Sequence, residues 1–147
     1  MAINAEQIGW LKMGYMNQLM PFFNGYYEMA HLAMTKGCKT EAEYDEVIDV
    51  LSEYLDEAKR LMKTIPEEAD AKFKNDTATF LQAIYERLEG IIERTKHLKG
   101  KSFHFERYTF SNDRKYVKAD MQYEKQIAQL GAAMNWHKQH IMMEVGM

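Results

Sequence analysis

Hydrophobic positions recur at intervals of three and four residues through most of this chain, which is the spacing of amphipathic helices. Four long helices are predicted, at residues 5–36, 41–63, 66–99 and 113–145. The first two begin with the capping-box pairs Asn4 with Gln7 and Thr40 with Glu43, in which each residue bonds the backbone of the other. The spacing of hydrophobic positions therefore predicts the helix faces, and the capping residues predict where the first two helices begin.

Four helices with short connections at the first two junctions indicate an all-α four-helix bundle. Up-down-up-down is the preferred topology, because short connections make successive helices antiparallel. Pro21 lies inside the first helix and removes a hydrogen bond there, so we expect a kink or a break into two helices. In residues 101–111 aromatic and polar side chains partly alternate, which predicts an extended aromatic connection between the third and fourth helices.

The composition fits one helical-bundle domain spanning residues 1–147, because the chain has only two prolines, eight glycines and no linker-like run. A single cysteine, Cys38, excludes an internal disulfide and a multi-cysteine metal site. No basic leader segment precedes an apolar run, and no apolar stretch has the length and composition of a typical membrane span. We expect a cytoplasmic protein that does not associate with membranes.

Charge is unevenly distributed although the formal net charge is only −3. Residues 41–57 hold eight acids and no base, and these acids form the outer face of the second helix. The simplest interpretation of such a run is a solvated helix face. The functional interpretation is a docking surface for a basic protein partner, formed by Glu46, Asp49, Glu53 and Asp56.

Bases and aromatics are interleaved in the segment that connects the third and fourth helices. The residues concerned are Lys101, Phe103, Phe105, Arg107 and Tyr108. We expect the aromatics to fold back over one end of the bundle, with an acidic protein partner as the second interpretation. Single-stranded nucleic acid, whose bases stack on aromatic side chains, ranks third.

One stripe of the fourth helix carries polar residues at positions where a core expects apolar ones. Its members are Tyr123, Ile127, Leu130, Met134, His137, Ile141 and Glu144. His140 lies one turn from both His137 and Glu144, and this spacing lets three side chains converge on a divalent transition metal. The competing interpretation makes His137 a hydrogen-bonded boundary histidine and Glu144 a solvated residue near a frayed terminus.

Glu28 and His31 are candidates for further ligands, because they have the Glu-x-x-His spacing of di-iron bundles. Those bundles need two such elements and two more inward glutamates, and this chain has one element. In an up-down-up-down bundle the ends of the first and fourth helices also lie about 45 Å apart. Only a connection that crosses the bundle would bring His31 to His137.

Methionine and aromatic side chains give the first helix more apolar surface than a four-helix bundle must bury. A homodimer through Met13, Met16, Met20 and Phe23 is one expectation. Coverage of this surface by residues 101–111 is the alternative.

No Gly-rich phosphate loop and no Ser-His-Asp or Cys-His-Asp set can be identified, so catalysis is not expected. We predict a non-catalytic protein-binding bundle of the inhibitor, immunity or adaptor type, with no cofactor. The alternative is a metal- or ligand-binding bundle with a His/Glu site on the fourth helix.

Overall fold

The computed structural model describes residues 4–35, 40–99 and 114–146, with side chains at 4–30, 40–96 and 121–146. It contains the helices α1 (Ala5–Thr35), α2 (Glu41–Lys63), α3 (Ala71–Lys99) and α4 (Arg114–Glu144). No strand occurs in these ranges, and the predicted all-α class is confirmed. The predicted aromatic connection lies outside the described residues.

The first two helices begin where their capping boxes predict. The Asn4 N–H donates to Gln7 Oε1 at 2.9 Å, and the Gln7 N–H donates to Asn4 Oδ1 at 2.8 Å. The Glu43 N–H donates to Thr40 Oγ1 at 3.2 Å. These bonds satisfy backbone groups that the first turn of a helix leaves without partners.

Helix α3 begins later than predicted. Pro66 lies in the preceding turn, where its carbonyl accepts from the Ala69 N–H at 3.2 Å. The carboxylate of Asp70 then accepts from the Phe73 N–H at 3.2 Å and caps the helix. Helix α1 continues through Pro21, so the alternative of a break into two helices is wrong.

Contacts between α3 and α4 show that these helices are antiparallel. Asp76, in the second turn of α3, bonds to His137 near the end of α4. Arg87, three turns further along α3, lies 5.3 Å from the ring centroid of Tyr123 near the start of α4. The pairing therefore runs in opposite directions along the two helices.

The start of α1 meets the ends of both neighbouring helices. The Lys12 ammonium bonds to Glu144 at the end of α4, and the Tyr15 hydroxyl donates to the Leu61 carbonyl near the end of α2 at 2.6 Å. Successive helices are thus antiparallel around the bundle, as the up-down-up-down prediction requires. The ends of α1 and α4 lie at opposite ends of the molecule.

All four helices contribute to one hydrophobic core, and the stripe that α3 presents to it is buried from Phe73 to Thr95. The largest fully buried side chains are Phe73, Phe80, Met16, Leu19, Leu51, Leu61, Leu81, Ile84, Leu88, Ile91 and Met134. Gly9 of α1 packs against the end of α4, where an added Cβ would lie 3.0 Å from Val145 Cγ1 and 3.1 Å from Glu144 Cβ. A larger residue at Gly9 would therefore require these side chains to shift.

Candidate functional site

A polar cluster lies at the end of the bundle where the starts of α1 and α3 meet the end of α4. The Lys12 side chain is 5% exposed, and its ammonium lies 3.2 Å from Asp70 Oδ1 and 3.0 Å from the Glu144 carboxylate. It also lies 5.5 Å from the ring centroid of Phe73. A cation in this position needs such partners, because burial removes it from water.

His137 extends this cluster into the core. Its Nε2 lies 2.7 Å from Asp76 Oδ2, and its ring packs edge-on against Phe73 with the centroids 5.3 Å apart. The hydrogen bond from His137 is the main cause that holds the pKa of Asp76 below its usual value, and Lys72 adds to it. His137 is thus a buried core residue with a fixed partner.

The structure does not bring the predicted metal ligands together. His140 is exposed and stacks on Trp136 with centroids 4.3 Å apart, while Glu144 pairs with Lys12 and is not a solvated terminal residue. Glu28 is exposed on α1, about 24 Å along the helix from Lys12. The side chain of His31 is outside the described part of the chain.

Within the described residues, no group of three or more His, Cys, Asp or Glu side chains is placed to hold a metal ion. The metal site therefore stays a prediction, and the described residues do not supply a cluster of ligands for it. The sequence pattern located His137 on the inward stripe but gave no partner for it. The sequence could have marked Lys12 as a candidate site residue, because it is the only charged residue between Glu6 and Glu28.

Acid should weaken the fold through Asp76. Because its pKa is lower in the folded chain, the carboxylate contributes stability above the unfolded pKa of about 4, and this is lost as the pH falls through the folded pKa. We expect the urea concentration at the unfolding midpoint to decrease as the pH is lowered from 5 to 2. The decrease should be smaller in Asp76→Asn. The control Asp49→Asn, on the exposed face of α2, should keep the wild-type slope; equal slopes for all three proteins would contradict this role.

A cavity of about 830 Å³ lies between α1, α3 and α4, towards the opposite end of the bundle from Lys12. Its lining includes the aromatic residues Phe23, Tyr26 and Tyr27 of α1 and the guanidinium-bearing Arg87 of α3. Burial raises the pKa of Tyr26 to about 12, against the opposing charge and hydrogen bond of Arg87. The sequence marks the aromatics only as apolar positions of helix 1, and nothing in it marks Arg87.

The acidic residues of α2 are at the surface as predicted. Glu46, Asp49, Glu53 and Asp56 are all exposed. The proposed basic-aromatic set, comprising Lys101, Phe103, Phe105, Arg107 and Tyr108, lies outside the described residues.

The surface formed by α1 and α4 has the opposite character, and we call residues 7–27 of α1 and 126–137 of α4 the uncharged face. Its only Asp, Glu, Lys or Arg residue is Lys12, which is buried. Trp10 and Tyr27 are 46% and 62% exposed. Two of the residues expected in a dimer contact are engaged inside the bundle. Met16 is buried, and the ring centroid of Phe23, which is partly buried, lies 5.1 Å from that of Phe80.

None of the helices, over the ranges described, has the length and hydropathy needed to cross a membrane. No protein-family model matches the chain, and comparisons with curated proteins and with solved structures find no match. The fold and the surfaces define an all-α four-helix bundle with an acidic face on α2 and an uncharged face on α1 and α4.

Proposed function

We propose that this chain is a non-catalytic protein-binding bundle with two working surfaces. The observation that supports this is the segregation of charge: α2 carries an exposed acidic face, whereas the uncharged face of α1 and α4 exposes no formal charge. Depletion of charge and enrichment of aromatic and methionine side chains are typical of the centres of protein interfaces.

The uncharged face is suited to pairing with a second copy of the chain. In a two-fold interface each patch meets its own copy, so a charged patch would face like charge. The exposed residues Trp10, Asn17 and Tyr27 introduce no such repulsion. The acidic face of α2 is unsuited to self-pairing for the same reason, because carboxylates would oppose carboxylates.

The uncharged face has the size of a small interface. Residues 7–27 of α1 extend about 30 Å and residues 126–137 of α4 extend about 18 Å, and each helix is about 10 Å wide. Their face covers about 480 Å² per copy, or about 960 Å² in total, which lies in the range of weak or transient interfaces below about 1,200 Å².

Pairing through α1 and α4 leaves the acidic face of α2 outward, since α2 and α3 form the opposite side of the bundle. We infer that this face docks a basic protein partner, whose approach the acidic field would accelerate. Inhibitor, immunity and adaptor proteins of this size act through such surfaces without catalysing a reaction.

Two new carboxylates on the uncharged face should dissociate the dimer, because each would face like charge on the second copy. We expect the double variant Trp10→Glu, Asn17→Glu to halve the mass measured by light scattering after size exclusion. Both positions are exposed, so the monomer should remain folded. The control Ala78→Glu, at an exposed position of α3, should keep the wild-type mass. An unchanged mass in the double variant would remove this face from the interface.

Reversal of the α2 charges should abolish capture of the basic partner. The test compares two four-site variants with the same change in net charge. The first is E46K/D49K/E53K/D56K, and the control on exposed positions elsewhere is E67K/E86K/E89K/E93K. Proteins that wild-type chain retains from its native lysate should be lost with the first variant and retained with the control. Equal capture by both variants would exclude α2 from docking.

A further inference from the structure

The cavity between α1, α3 and α4 combines an apolar lining with a buried cation. Phe23, Tyr26 and Ile127 contribute apolar surface, and the volume of about 830 Å³ lies within the range of roughly 300–1,000 Å³ found for small-molecule sites. Tyr26 is 4% exposed and Ile127 is 6% exposed, so part of the lining is shielded from water. A ligand with an apolar body would gain by displacing water here.

Arg87 gives the cavity its polarity. It is 4% exposed, donates a hydrogen bond to Tyr26, and lies over the ring of Tyr123. These two contacts hold the guanidinium in a fixed position at the cavity wall. A guanidinium presents its N–H donors in a planar fork that matches the oxygens of a carboxylate or sulfonate.

The remaining polar lining limits the charge that a ligand can carry. Glu28 and Glu124 contribute two exposed carboxylates, while Lys125 contributes one exposed ammonium and Asn24 a neutral amide. Two carboxylates disfavour a ligand with several negative charges. One anionic group placed at Arg87, with an apolar body along α1, is the arrangement that fits.

We propose that this cavity binds a small amphipathic molecule with a flat apolar body and a single anionic group, which pairs with Arg87. The cavity lies within the uncharged face, with which it shares the lining residues Phe23, Asn24, Tyr26, Tyr27, Ile127, Ala128 and Gly131. The mass from light scattering is therefore recorded with each titration, so that loss of the dimer and loss of the ligand site are distinguished. Recognition combines burial of the apolar body with a charge-assisted hydrogen bond, and each contribution can be removed separately by mutation.

Two fluorescent probes separate these contributions. 1-Anilinonaphthalene-8-sulfonate carries an aromatic body and one anionic group, and N-phenyl-1-naphthylamine has the same body without the sulfonate. The wild-type chain should bind one equivalent of the anionic probe at least tenfold more tightly than the neutral one. Arg87→Met should weaken the anionic probe at least tenfold and change the neutral probe less than twofold. Equal affinities for the two probes in wild type would overturn the role of Arg87.

A second pair of variants tests the cavity without altering Arg87. Ala128 lines the cavity and Ala132 does not, and both are exposed on α4. Ala128→Trp should abolish binding of both probes, whereas Ala132→Trp should leave their affinities unchanged. Near-ultraviolet circular dichroism should show native packing in both variants. Unchanged binding in folded Ala128→Trp would place the probes elsewhere and overturn the proposal.

Discussion

Replacement of Phe73 by alanine should lower the free energy of unfolding by about 3–5 kcal/mol, the range measured for large aromatic-to-alanine changes in protein cores. Phe73 is fully buried and contacts three side chains on two other helices. Tyr15 packs edge-on at 6.3 Å between centroids, His137 at 5.3 Å, and the Lys12 ammonium lies 5.5 Å from the ring. The alanine variant therefore leaves a cavity and removes ring contacts from both α1 and α4.

Urea unfolding followed by far-ultraviolet circular dichroism measures this loss. A change of this size is a large fraction of the stability of a typical domain, which is about 5–15 kcal/mol. Phe73→Leu is the matched control, because it retains most of the volume and should lose no more than about 1.5 kcal/mol. A loss below 1 kcal/mol for the alanine variant would show that Phe73 is not central to the packing.

Replacement of Lys12 by methionine should lower the free energy of unfolding by about 1–3 kcal/mol, although methionine fills similar space. The change removes the cation that lies between Asp70 and Glu144 and leaves their carboxylates beside each other. The loss is smaller than for a fully buried ion pair because the Asp70 and Glu144 side chains are 54% and 29% exposed. The Asp70 carboxylate in particular stays accessible to water.

Neutralising the two partners should recover part of this stability. In the triple variant K12M/D70N/E144Q, neither of the two former partners of Lys12 carries a negative charge. Its urea midpoint should lie above that of Lys12→Met alone, while D70N/E144Q with Lys12 retained should be less stable than wild type. A single variant as stable as wild type, or a triple variant no better than the single one, would contradict the role assigned to Lys12.

The starts of α1 and α2 could be predicted from local sequence, because a capping box is formed by two residues only three positions apart. Asn4 and Gln7 form both predicted bonds, and Thr40 accepts from the Glu43 N–H. The start of α3 was misplaced because proline suits both the first turn of a helix and a turn before it. The cap belongs to Asp70, whose carboxylate accepts from the helix backbone.

The candidate sites depend on contacts that sequence spacing does not contain. The inward stripe of α4 correctly placed His137, but its partner Asp76 lies on another helix. The cavity depends on the separation of α1 and α4 around residues 23–30 and 121–131, which no local pattern specifies. The sequence alone therefore does not identify Arg87 as a residue of the cavity, and only the packing of the helices does.

Sedimentation equilibrium over a range of protein concentrations tests the central claim, that the uncharged face joins two copies. The expected mass is twice the chain mass of 17.3 kDa, at both low and high salt, because the paired surfaces carry no exposed formal charge. A mass of 17.3 kDa at every concentration and salt condition would show that the uncharged face does not join two copies.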